Sequence, residues 1–376
     1  MQVAGRGALL VVLTLAVTAL ATPLGSGVLV APEQSPSAAA PPIAAPPLPP
    51  LPPPPPAPPP PPLTIEQLTA QVSPTVVTIA ANFGRFGVAG TGFVVDPDGV
   101  VLTNFHVIEE ASDVTAVHQG NGLIYEASVL GYDKSRDLAV LQLATAYDLP
   151  VASIGSSANV AVGDPVTAVG NADGAGTLVP APGRVVALDR KVTAQSSMDG
   201  SRNELSGMIQ IDADVRAGDS GGPLLDAWGN VIGVDAAGLS DEARETQAPE
   251  AYAIPIDDAI AVLDQVREGR SGGTVHVGPT PYLGIGVRDV STFRSSGPSR
   301  GAYVSSVQYD SPAERTGLVR GDVIVSFDGR PVQNSDELTA AMIGRRPGET
   351  VGLEWVTEQG VRQQRDVTLE RGSPTA

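Results

Sequence analysis

Between Leu63 and about Ile260 the apolar residues come in short runs. Val76-Val77-Thr78-Ile79, Gly92-Phe93-Val94-Val95, Gly99-Val100-Val101-Leu102-Thr103, Asp137 to Leu143, and Val231-Ile232-Gly233-Val234 are β-branched or alternate between apolar and polar. Turn chemistry such as Asp96-Pro97-Asp98-Gly99 separates them. Strands at this spacing, with no regular helix between them, predict a barrel or sandwich. One helix is expected at the end of this region, near Asp257 to Arg267, with Ile260, Leu263 and Val266 on one face.

A Gly/Ser/Pro-rich stretch, 269–279, reads as a linker, and a second pattern occupies 280–372. It is again strand-rich but carries two helix starts. Ser311 caps a helix whose first position is Pro312 and whose stop is Gly317. Asn334 is followed three residues later by Glu337, ahead of Leu338 and Met342 on one face. The expected organisation is a β-rich domain over 63–268 and a small α+β domain over 280–372.

The N-terminus has a different character. After Arg6 an apolar run extends from Ala8 to Ala21 and ends in Ala19-Leu20-Ala21, the pattern of an export signal. Continued through Pro23, Gly25 and Gly27 to Ala31, the same stretch is long enough for an anchor. Both readings of 1–31 stand, and both place the folded part outside the cytoplasm, secreted or held at the cell envelope. From 32 to 62 the chain is a Pro/Ala tract, with 16 prolines among the 22 residues from Pro41 to Pro62. Such a segment takes up extended polyproline II and serves as a spacer reaching on the order of 90 Å. The net charge is −18 and no Lys/Arg cluster occurs, which argues against a nucleic-acid partner. There is no cysteine, so disulfides and thiolate–metal sites are excluded. No cofactor or metal is expected.

The chemistry concentrates in Gly218-Asp219-Ser220-Gly221-Gly222. Glycines let the chain turn tightly beside an incoming peptide. The N–H groups of Gly218 and Ser220 can then aim at one point, where a tetrahedral intermediate carries its charge. A nucleophilic serine needs a base. Of the three histidines, His276 lies in the expected linker and His118 in a polar stretch read as a solvent-facing loop. His106 ends the buried-looking run Val101 to Ile108 and is the candidate. Asp137 opens an apolar strand where a half-buried acid can orient that histidine, while Asp133 reads as a turn residue. The order His106, Asp137, Ser220 is that of chymotrypsin. An α/β-hydrolase is disfavoured, because no nucleophile elbow lies between a strand and a long helix.

At these residues the chain resembles the HtrA (Deg) family of trypsin-like serine proteases. The matching segments are Gly90-Thr91-Gly92-Phe93-Val94, Leu102 to Ile108, Asp137 to Leu141, Ala168-Val169-Gly170-Asn171, Gly218 to Leu224, and Tyr252-Ala253-Ile254-Pro255. Tyr282-Leu283-Gly284-Ile285 is similar to the carboxylate-binding loop of a PDZ domain, and Ser311 to Ile324 to the helix and turn after it. The resemblance implies a chymotrypsin-like double six-stranded β-barrel with the triad between barrels, then a PDZ domain that takes peptide C-termini by strand addition. It implies an endopeptidase acting on unfolded or misfolded proteins. A chaperone or scaffold with a weak or latent protease site is the alternative. Val215, Gly238 and Leu239 match the walls of the family's primary pocket, which implies small aliphatic P1 residues, whereas Asp214 falls where trypsin keeps a pocket-bottom acid. The family commonly trimerises, and Leu63, Ile65, Leu68 and Val72 are the candidate contacts. Asp219 departs from the asparagine of many members, and with no activation site in the chain it needs backbone N–H groups or an arginine. The loop from Ala81 to Ala89 is too short for the long regulatory loop that builds hexamers in some relatives.

Overall fold

The computed structural model describes residues 60–83, 86–195, 202–238, 250–290 and 297–374. The export or anchor segment, nearly all of the Pro/Ala tract and Leu239 lie outside them. The first helix, α1 (Ile65–Val72), starts with a capping box: the Thr64 hydroxyl accepts from Gln67 N–H, and the Gln67 side chain accepts from Thr64 N–H. α1 buries Leu68 and Val72 in the core of its own chain and leaves Ile65 as its exposed apolar residue. Two of the four expected trimer contacts are therefore spent inside the subunit.

Six strands follow: β1 (Val76–Phe83), β2 (Phe86–Asp96), β3 (Val100–Thr103), β4 (Asp113–His118), β5 (Ile124–Asp133) and β6 (Leu138–Leu143), with the one-turn helix α2 (Phe105–Ile108) after β3. They are hydrogen-bonded in the order β5-β4-β1-β2-β3-β6, and β5 also pairs with β6, which closes the barrel. β1 and β2 meet at Phe83 and Phe86, a short hairpin with no room for a long loop. The second barrel is closed in the order β10-β11-β12-β9-β8-β7. Its strands are β7 (Pro165–Gly170), β8 (Val179–Gln195), β9 (Arg202–Ile211), β10 (Pro223–Leu225), β11 (Val231–Gly238) and β12 (Ala251–Pro255). One buried cluster joins the two barrels, with Phe93, Leu102 and Val140 from the first against Leu225, Val231 and Val234 from the second.

Helix α3 (Ile256–Arg267) buries Ile256, Ala259, Val262, Leu263 and Val266. Its inward face lies slightly off the expected one, since Ile260 is only half-buried. The expected linker holds a strand, β13 (Val275–Val277), which pairs antiparallel with β5 through Val275↔Asp133, His276↔Tyr132 and Val277↔Gly131. His276 is thus a buried strand residue rather than a linker residue. His118, expected in a solvent-facing loop, ends β4 and is also buried.

The last domain begins with β14 (Pro281–Tyr282) and β15 (Ile285–Asp289), then β16 (Ala302–Val307) and helix α4 (Pro312–Thr316). β17 (Val323–Phe327), β18 (Arg330–Pro331), helix α5 (Ser335–Ile343), β19 (Thr350–Val356), β20 (Arg362–Thr368) and β21 (Glu370–Arg371) complete it. The sheet runs β15-β16-β17-β19-β20, with β18 on β17, and β14 pairs with β21. Ser311 Oγ accepts from Glu314 N–H, and Gly317 ends α4 at φ +95°. Asn334 Oδ1 accepts from Glu337 N–H, while the Glu337 side chain reaches past the cap to Gln333 N–H. Leu283, Val304, Phe327, Leu338, Leu353 and Trp355 fill the core. Among the described residues no helix is long and apolar enough to cross a membrane.

Candidate active site

Asp133 ends β5 with its carboxylate fully buried. The carboxylate accepts from Arg136 N–H, Ser135 Oγ and Thr274 Oγ1 and pairs with the Arg136 guanidinium. These bonds fix the tight turn Lys134–Arg136, which delivers Asp137 in the left-handed region at φ +56°, ψ 43°. Aspartate tolerates that conformation better than most side chains. The Asp137 carbonyl accepts from Phe105 N–H at 3.1 Å and from Asn104 Nδ2 at 2.9 Å. The beginning of α2 is thereby tied to the start of β6. The Asp137 carboxylate then takes both polar groups of one residue: Oδ1 accepts from His106 N–H at 2.8 Å, and Oδ2 lies 2.7 Å from His106 Nδ1.

That bidentate contact fixes the ring and assigns the proton on Nδ1, which leaves Nε2 as the basic nitrogen. The His106 side chain keeps 38% of its surface exposed, against 8% for Asp137. Burial alone pulls the imidazole's pKa down, but the charge and hydrogen bond of Asp137, with the charge of Glu109 behind them, outweigh it. The pKa of His106 therefore stands above the ordinary histidine value.

Ser220 is half-buried on a turn whose glycines cannot be replaced without collision. Gly218 is at φ +94°, and a Cβ there would lie 2.2 Å from Asn171 O. Gly221 is at φ +86°, and a Cβ there would lie 2.2 Å from both Thr103 Oγ1 and Thr91 O. The turn therefore packs directly on the middle of β2 at Thr91 and on the end of β3 at Thr103, and β3 runs on through Asn104 to His106. Thr91 is the joint. Its N–H donates to Ser220 O at 2.9 Å, its hydroxyl donates to Gly218 O at 2.6 Å and accepts from Asn171 N–H at 2.9 Å, and its carbonyl accepts from Thr103 Oγ1 at 2.6 Å. Only small residues flank it in sequence, so its four contacts had no signal beyond the Gly90-Thr91-Gly92 motif.

Asp219 finds its partner in the backbone, as Oδ2 accepts from Arg216 N–H at 2.8 Å. The Ala217 carbonyl accepts from Asp173 N–H at 2.7 Å. Because the peptide is trans, the Gly218 N–H points the opposite way. Among the described residues no protein acceptor takes the N–H of Gly218 or of Ser220. Asp235 of β11 brackets the turn from below: its carbonyl accepts from Gly221 N–H at 2.7 Å and its N–H donates to Gly222 O at 2.9 Å. Its carboxyl is fully buried with no hydrogen-bond partner among the described residues. Burial first, and then the charge of Asp219, push its pKa well above the usual carboxylate range.

The residues expected to line the primary pocket are placed unevenly. Val215 is buried in the second barrel's core. Asp214 is half-exposed, with its carboxylate 2.8 Å from Arg216 Nη2, and Arg216 also reaches Asp173. Gly238 ends β11. In the last domain Tyr282 pairs with Glu370. Leu283 is buried, and its carbonyl accepts from Ala313 N–H. Gly284 is at φ +84°, and Ile285 opens β15 at the edge of the sheet.

These residues lie in stretches that match known domains. Residues 90–234 match the trypsin-like peptidase domain and residues 281–369 the PDZ domain. The chain is 36% identical over 267 residues to the putative serine protease HhoA of Synechocystis sp., covering 68% of this chain and 64% of that one. It is 29% identical over 320 residues to the serine protease PepD of Mycobacterium tuberculosis, covering 81% and 66%. With a probable periplasmic serine endoprotease, DegP-like, of Chlamydia trachomatis it shares 35% identity over 284 residues, covering 73% and 52%. The chain thus spans between about half and two thirds of the length of these relatives. With a trypsin-like peptidase domain followed by a PDZ domain, the chain belongs to the HtrA/Deg family of serine proteases.

Proposed function

We propose that the chain is an exported serine endopeptidase that cleaves unfolded or misfolded polypeptides. The observation that carries this reading is the His106–Asp137 pair at 2.7 Å, joined through Thr91 and Thr103 to the turn that holds Ser220. Ser220 Oγ attacks the scissile carbonyl while His106 Nε2 takes its proton, then returns it to the leaving amine. Asp137 holds the ring and stabilises the imidazolium. The N–H groups of Gly218 and Ser220 receive the oxyanion. The anchoring of Ala217 O on Asp173 N–H supports a hole formed at rest.

The Arg216 partner of Asp214 favours small aliphatic P1 residues, since the acid is half-exposed and already paired. β15, at the sheet edge beside the Tyr282 to Ile285 loop, is the strand on which a peptide C-terminus adds. The apolar run of 1–31 and the Pro/Ala tract support export with the folded part held away from a membrane or wall, in keeping with relatives named periplasmic.

Digestion of β-casein by the parent and by Ser220→Ala tests the reading, with a parallel series of Val-, Ala- and Arg-P1 peptides. Casein cleavage by the parent alone, with Val or Ala preferred at P1, is expected. Equal, negligible cleavage by both proteins removes the enzyme, and strong Arg preference removes the aliphatic pocket.

A further inference from the structure

Arg216 precedes the Gly218 to Gly222 turn and is the cation of a small network around it. Its guanidinium meets Asp214 at two points, with Nε and Nη2 lying 3.0 and 2.8 Å from Asp214 Oδ2, and its Nη1 lies 3.3 Å from Asp173 Oδ2. Its backbone is held as well. The Arg216 N–H donates to Asp219 Oδ2 at 2.8 Å, and the Arg216 carbonyl accepts from Asp219 N–H at 3.0 Å. Asp173 comes from the turn Ala172–Gly174 after β7 and sits in the left-handed region at φ +58°, ψ 15°. Aspartate adopts that conformation more readily than most side chains. One residue thereby meets the serine turn twice, through its N–H on Ala217 O at 2.7 Å and through its carboxylate on Arg216.

The peptide plane between Ala217 and Gly218 is the part this network controls. Its carbonyl is Ala217 O and its N–H is that of Gly218, at opposite sides of one trans unit. Rotation of the plane turns the Gly218 N–H away and takes one donor out of the proposed oxyanion hole. Gly218 is at φ +94° and has no side chain to resist such a rotation. What resists it is Asp173, whose N–H holds the carbonyl side and whose carboxylate is held in turn by Arg216. The ion pairs are half-exposed, and pairs of that kind add little to the stability of a whole fold. A peptide rotation is a local equilibrium, however, and a planar guanidinium fixed between two acids biases it with the fold unchanged.

We propose that Arg216 is a positioning residue for the peptidase reaction: its guanidinium, shared between Asp173 and Asp214, keeps the 217–218 peptide turned so that the Gly218 N–H faces the oxyanion. Arg216 itself touches neither substrate nor the reacting atoms and acts through Asp173. The latch rests on the peptidase reading above and adds to it that ion pairs of the chain's own loops hold the oxyanion hole. Salt screens half-exposed pairs, so turnover falls as ionic strength rises.

Steady-state kinetics on the full chain, with the best-cleaved peptide of the P1 series, compares the parent with Arg216→Gln, Asp173→Asn and the double variant. Asparagine keeps the N–H on Ala217 O and tolerates the left-handed backbone, so that variant removes only the charge. Each single variant is expected to lose about fivefold in kcat with KM unchanged. The double variant should lose no more than the worse single one, since both changes break the same network. Between about 0.05 M and about 1 M NaCl the parent should fall toward the variants while the variants stay level. A peptide boronate, tetrahedral when bound to Ser220, should lose affinity by the same factor as kcat. Parental kcat in either single variant, losses that multiply in the double, or variants as salt-sensitive as the parent overturn the latch. So does a loss confined to KM and to acidic peptides, which would make Arg216 a substrate contact. Failure of the peptidase reading looks different: the parent then cleaves no better than Ser220→Ala, and the latch falls with it.

Discussion

At the scale of single residues, the site is defined by what each carboxyl does. Asp137 raises the pKa of His106, and the base form of that histidine is the neutral one, so kcat/KM rises with pH through the raised value. Asp137→Asn removes the charge and leaves the burial that pulls the imidazole down. The expected result is a fall in kcat/KM of about 10⁴-fold, with the acid limb of the pH profile moved to lower pH. An unmoved limb would show that Asp137 does not set the titration of His106. Asp235 works in the other direction. Its folded carboxyl keeps its proton at pH values where the unfolded group, near its ordinary value of about 3.9, has lost it. The folded state then binds the extra proton, so this group makes stability fall as pH rises above that value until the folded carboxyl itself ionises. Asp235→Asn keeps the shape without the charge. Its melting temperature relative to the parent is expected to climb as pH rises above the ordinary carboxylate range, whereas a flat difference would mean that Asp235 carries no such penalty. The proposed triad could be chosen from the sequence because few candidates existed: three histidines, one Gly-Asp-Ser-Gly-Gly, one acid opening an apolar strand. Asp235 was not legible, because Gly-Val-Asp-Ala in a strand says nothing of which face the acid takes or what lies behind it.

At the scale of elements, β1, β2, β3 and β6 of the first barrel could be read from alternation and turn chemistry, and the caps of α1, α4 and α5 are built from short polar side chains. β4, whose end at His118 reads as a loop, and β5 were not read, and two further features could not be. β13 is three residues long, too short for any periodicity, and its flanking glycines and prolines give the composition of a linker. The joint between barrels is a hydrogen-bond relation of Thr91 to residues more than a hundred positions away, and threonine in a strand is ordinary. Thr91→Val tests that joint. The side chains are isosteric, but valine leaves Gly218 O and Asn171 N–H without their buried partner. A stability loss of about 2–3 kcal/mol is expected, with kcat/KM for a casein-derived peptide lowered by about 10–100-fold. Thr91→Ser, which keeps the hydroxyl, should recover most of both. A serine variant as impaired as the valine one would assign the effect to packing instead.

At the scale of the whole molecule, the two barrels and the PDZ domain follow one another in sequence, yet the peptidase part does not stop where its last helix stops. α3 ends at Arg267, and the seven residues after it lead to a strand that returns to β5. Val275 and Val277 are buried there, and Thr274 donates to the same Asp133 carboxylate that shapes the turn before Asp137. A boundary at 268 would remove the strand paired with β5 and loosen the support of Asp137. A boundary after Gly278 would remove the PDZ domain and spare both. Two fragments separate these cases, 60–268 and 60–278. Burial of the two valines, at about 1.5–3 kcal/mol each, predicts that the longer fragment is more stable by about 3–6 kcal/mol, read as a higher urea midpoint. It should also cleave unfolded casein where the shorter one is weak. Equal midpoints would return β13 to the status of a linker. They would also detach from the barrel the strand whose His276 contacts Ile343 O at the end of α5, leaving the PDZ domain tied to the peptidase part by chain connectivity.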